Sequence, residues 1–219
     1  MTGPAYVEVL DLAAGAVLVC AVLTLWRRDL RAIVSLLALQ AVALSTVAGV
    51  LASHDHDAAL GVTAGVVLLA KGLVIPWLLR RVVRHDPRSR EATPLVNVPA
   101  SLVAAALLVV VAYLASAKVT ALLPSTASRL APIGVATLLV GFFLLATRRK
   151  AVSQIVGLLL VDNGVALVGF LLTAGVPLVV ELGASLDVLL VVVVLRVLAT
   201  TMHTRFGAVD LDQLRELHD

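Results

Sequence analysis

Residues 151–172 read AVSQIVGLLLVDNGVALVGFLL, a run of 22 residues with one ionisable side chain, Asp162, close to its middle. A helix that crosses a bilayer needs about 20 predominantly apolar residues. The stretch meets that requirement, and it carries a carboxylate at mid-membrane depth. Outward from it, the rest of the 219-residue chain repeats the pattern. Hydrophobic residues make up 61%, charged residues 14% and aromatics 4%, against about 45–50% apolar and about 25% charged in a soluble domain. This composition excludes a water-soluble enzyme, a disordered chain and a nucleic-acid-binding domain. The net charge of +3 does not restore the last of these, because the basic residues sit in short tracts between apolar runs.

Seven runs are long enough to span: 5–26, 31–52, 58–80, 95–115, 129–147, 151–172 and 178–201. The expected fold is an all-α integral membrane protein lying multi-pass in the cell (cytoplasmic) membrane. The first run does not read as a signal peptide: it has no basic leader and its basic flank, Arg27 and Arg28, follows it. Basic residues then fall in alternate loops. The first loop carries Arg27, Arg28 and Arg31, the third Arg80, Arg81, Arg84, Arg88 and Arg90, and the fifth Arg148, Arg149 and Lys150. The positive-inside rule places the N-terminus outside and the tail, residues 203–219, in the cytoplasm.

The halves resemble each other at an offset of about 122 residues. Ile33 begins IVSLLALQ and Ile155 begins IVGLLLVD; Arg27 and Arg28 meet Arg149 and Lys150. The reading is one transmembrane domain over residues 1–202, built as a parallel three-helix repeat. Repeat A covers about 5–80, a linking helix about 95–115 and repeat B about 129–201; parallel repeats occur in transport folds. Gln40 then corresponds to Asp162, and Gly65 to Asp187.

Lys71, Asp162 and Asp187 are expected deep in the membrane, with Glu181 about one turn inside the outer end of the last helix. Each Lys or Asp at a helix centre costs roughly 2.5–3.5 kcal/mol, and three cost on the order of 8–10 kcal/mol. Such groups face a bundle interior, a partner subunit or a water path. Burial disfavours the charged form of either kind of group, which suits a lateral proton relay with Gln40, Ser45, Thr63, Asn163 and Ser185 as polar support. The alternative is a static ion pair of Lys71 with one aspartate. Pro76 cannot donate to the carbonyl of Gly72, beside Lys71. His54-Asp55-His56-Asp57 has metal-like residue types but reads as a hydrophilic turn, and no metal or nucleophile motif is present. One cysteine, Cys20, cannot hold an iron–sulfur cluster or a structural zinc. No cofactor is expected in this chain, and redox chemistry falls to another one.

Gln154-Ile155, Gly157, Asp162-Asn163-Gly164, Glu181-Leu182-Gly183 and Asp187, with Gln40, Lys71, Leu73 and Pro76 in the first half, carry a family likeness. The chain resembles the hydrogenase-4 component E family, membrane subunits of group 4 nickel–iron hydrogenase and formate hydrogenlyase complexes. Its second half is similar to the K subunit of complex I. The resemblance implies a non-catalytic subunit beside antiporter-like and anchor membrane subunits, contributing to proton translocation coupled to electron transfer. Residue 162 is one methylene shorter than the glutamate of hydrogenase-4 relatives, so a water is expected to fill the gap. A scaffold subunit of such a complex, or a stand-alone small ion transporter, is the alternative role.

Overall fold

The computed structural model describes residues 3–84, 96–123, 125–148 and 151–173, and every regular element among them is helical. Helix α1 spans Gly3–Trp26 and α2 spans Leu30–Asp55. A third rod is composite: α3 (Ala58–Val67), a π-helical segment (Leu68–Val74) and α4 (Ile75–Arg84). Then follow α5 (Val98–Leu122), a short 3₁₀ turn (Ser128–Leu130), α6 (Ala131–Thr147) and α7 (Ala151–Thr173). Among the described residues six rods are long and apolar enough to cross a membrane. They coincide with the first six expected spans. The seventh expected span, 178–201, and the tail lie outside the described residues.

Local chemistry sets the helix ends. Asp29 caps α2 by accepting from Arg31 N–H at 3.0 Å. Asp57 caps α3 through Ala59 N–H at 2.8 Å and Leu60 N–H at 3.2 Å. His56 closes α2 at φ 55°, with its N–H on the carbonyl of Ala52. Asn97 caps α5 through Ala100 N–H at 3.0 Å. Each uses a short polar side chain to satisfy a donor that the helix leaves orphaned. His56 and Asp57 of the His-Asp loop are thus spent on helix ends.

Helix α1 packs on α2 and α6 on α7; across the bundle α1 meets α6 and α2 meets α7. These cross-pairs are the helices that the 122-residue offset makes equivalent. In α7 61% of the apolar stretch is buried, against 17% in α5, so α7 is central and α5 peripheral. Helix α5 turns small residues inward (Ser101, Ala105, Ala112, Ser116) and leaves Leu107, Val111 and Leu114 exposed. The α6–α7 contact is the tightest. A Cβ on Gly164 would fall 2.5 Å from the Leu138 nitrogen, and one on Gly141 2.7 Å from the Val161 nitrogen. Gly134 and Gly157 show the same backbone approach. Small residues give this closeness, which in lipid drives helix association.

The buried apolar residues divide into two clusters along the bundle. One holds Leu10, Val17, Leu44, Val67, Ile133 and Phe170; the other holds Leu25, Leu37, Ile75, Val140, Leu144 and Leu160. A polar residue falls between the clusters on every core rod except α1. These are Gln40 on α2, Lys71 on the composite rod, Thr137 on α6 and Asn163 on α7, all buried. The bundle is therefore oil, a polar layer, then oil.

Candidate functional site: a buried polar layer

The π segment carries Lys71. Within it the N–H of Ile75 reaches the carbonyl of Ala70, five residues back, so the widened turn reaches up to Pro76. Proline interrupts a regular α ladder, and π segments recur at functional sites. The expected disturbance at Gly72 is thus a rewinding of seven residues, Leu68–Val74. Gly72 is buried and a Cβ there would stand 4.0 Å from that of Ala41.

Lys71 Nζ lies 2.7 Å from Asp162 Oδ2, with side-chain exposures of 2% and 15%. The aspartate reaches the lysine directly, and no bridging water is needed for this contact, contrary to the expectation from its shorter side chain. Removing either partner leaves a charge in a low-dielectric interior.

The next residue, Asn163, faces the other way. Its Nδ2 donates to Gln40 Oε1 at 3.0 Å, and Gln40 Nε2 donates to the carbonyl of Val17 at 3.0 Å. The amides tie α7 to α2 and α2 to α1. Asn163 Oδ1 is buried with no hydrogen-bond partner among the described residues, an acceptor held inside the layer.

The structure thus brings together four of the expected residues: Lys71, Asp162, Gln40 and Asn163. Asp187, Glu181 and Ser185 lie outside the described residues. Ser45 and Thr63 do not join the layer, since their hydroxyls donate to the carbonyls of Ala64 at 2.7 Å and Ala59 at 2.9 Å. Glu8 and Asp11 are exposed.

Two features escape the sequence. Arg148, expected as a loop charge, is 4% exposed, and its Nη2 donates to the carbonyl of Leu25 at 2.9 Å. It clamps the last turn of α1, where a cation complements the helix dipole. At the opposite end His54 stacks on Tyr6, with ring centroids 4.1 Å apart, and meets Asp55 at 2.9 Å. They sit at a cavity of about 520 Å³ that also reaches Thr126 and Phe170. Neither contact has a periodic signature in the sequence.

The chain is 48% identical over 210 residues to an uncharacterised protein, Rv0085, of Mycobacterium tuberculosis, covering 95% of this chain and 96% of that one. It is 25% identical over 149 residues to hydrogenase-4 component E of Escherichia coli K12, covering 68% and 69%. The protein of the same name from Shigella flexneri matches to the same extent. No family model matches the chain, and no solved structure does.

Proposed function

From a chain that belongs to the family of the Mycobacterium tuberculosis protein Rv0085, we propose a non-catalytic membrane subunit of a hydrogenase-like complex. In it the Lys71–Asp162 pair takes part in proton movement coupled to electron transfer on other chains. The similarity to hydrogenase-4 component E supports the first part. The 2.7 Å ion pair within the polar layer supports the second. In it two titratable side chains face each other inside the bundle, next to the Asn163–Gln40 amide pair. A proton arriving on Asp162 breaks its pairing with Lys71; its departure restores it. Asp187 and Glu181 are proposed to extend the path, with Ser185 as polar support. The neighbours proposed are antiporter-like and anchor membrane subunits.

The scaffold reading is favoured by a different observation: the amides of Asn163 and Gln40 fasten three helices and need move nothing. One double variant separates the two. Lys71→Met with Asp162→Leu replaces the pair by apolar volume, which often preserves stability. A relay loses redox-driven acidification of vesicles although the complex still assembles on a blue-native gel. A scaffold assembles and retains acidification, and that result overturns the proposal.

A further inference from the structure

Along the composite rod, starting at the residue after Lys71, lies a groove of about 470 Å³. Among the described residues it is lined by Gly72, Leu73, Val74, Pro76, Trp77 and Arg80. It runs along the rod from the π turn to the basic end of the bundle. Its floor is apolar and Leu73, Val74 and Trp77 are largely exposed. Its far end is a guanidinium: Arg80 is exposed, with Nη2 3.4 Å from Ser35 Oγ on the first turns of α2. The Arg81 guanidinium lies 5.5 Å from the centroid of the Trp77 ring. Tryptophan and arginine together mark the level of lipid headgroups.

The geometry points to a bound anionic phospholipid in this groove. Its acyl chain lies against Leu73, Val74 and Pro76, and its phosphate meets Arg80. Charge and shape both select this occupant. An apolar slot open along its length suits a hydrocarbon chain, and a cation at its headgroup end suits a phosphate. Neither feature needs the relay, so the inference stands apart from the proposed function. The lipid chain packs against Gly72, one residue from Lys71, where the widened turn lies.

The chain offers its own control. Trp26 and Arg27 form a second tryptophan–arginine pair, 5.6 Å apart, at the same end of the bundle but outside the groove. The full chain is purified in mild detergent, titrated with phosphatidylglycerol or phosphatidylcholine, and followed by native mass spectrometry. One phosphatidylglycerol is expected to be retained per chain, about fivefold more than phosphatidylcholine. Arg80→Gln should lower that retention about fivefold, and Arg27→Gln should leave it unchanged. Leu73→Trp, which fills the slot from an exposed position, should abolish retention of both lipids. Equal losses from Arg27→Gln and Arg80→Gln, equal retention of the two lipids, or retention indifferent to Leu73→Trp would each overturn the inference. Quenching of Trp77 by brominated acyl chains, in a Trp26→Phe background, reads the same site without relying on the variants. Absence of quenching overturns it too.

Discussion

Asn163 reaches Gln40 while its neighbour Asp162 reaches Lys71, so two consecutive residues of α7 grip two different elements at one height. Successive side chains on a helix diverge by about 100°. That divergence is what lets one turn of α7 hold α2 with an amide and the π segment with a charge.

The ion pair should be costly to break and cheap to replace. Asp162→Asn leaves the lysine beside a neutral amide, and Lys71→Met leaves a carboxylate without its cation. Each is expected to destabilise the fold by about 3–5 kcal/mol, and the double apolar replacement by clearly less. Unfolding titrations in mixed micelles measure all three. A double variant no better than the singles would mean that the pair is not coupled.

The amide clasp should be weaker. Hydrogen bonds between membrane helices average about 0.6 kcal/mol in double-mutant cycles, with a maximum near 1.7. A cycle of Gln40→Leu with Asn163→Leu is expected to give a coupling in that range. Gln40→Leu alone costs more, since it also strips the carbonyl of Val17.

The glycines divide by geometry. Gly164→Ala puts a methyl 2.5 Å from the Leu138 nitrogen, and overpacking of this kind costs about 1–3 kcal/mol or more. At Gly65 a Cβ meets nothing within 4 Å, so Gly65→Ala should be neutral or gain up to about 1 kcal/mol from helix propensity. Melting of the two variants in detergent should move in opposite directions.

Arg148→Ala removes a charged donor from the end of α1. A loss of about 1.5–3 kcal/mol is expected, concentrated locally. Hydrogen exchange should rise first at the amides around Leu25 and the turn into α2, and little in α5.

Much of this is legible in the sequence. The six described rods follow from apolar length alone, which the bilayer dictates. Lys71 and Asp162 announce themselves because a charge in oil demands a reason. Gln40 and Asn163 were placed as support, but their mutual bond was not foreseeable: it needs the crossing of α2 and α7, which sequence spacing does not encode. Ser45 and Thr63 both bond backbone carbonyls instead: Thr63 turns to its own helix, as hydroxyls in helices readily do, while Ser45 reaches across to Ala64 on α3. Arg148 was hidden because basic residues at span ends signal orientation first, and only packing shows that one has folded inward. Of the small residues, Gly157 and Gly164 sit at a close contact and Gly65 does not; composition cannot separate them.

The long reach of two contacts bears on how the chain is made. Gln40 and the Leu25 carbonyl in the last turn of α1 each bond a partner 123 residues further on, and Lys71 meets Asp162 on α7. A nascent chain that has emitted three rods must hold Lys71 without Asp162, and the Gln40 carbonyl oxygen without the Asn163 amide, in the lipid or at the rim of the insertion machinery until the sixth arrives. Polypeptides interrupted before residue 162 therefore present quality-control proteases with a defect that full-length ones have erased.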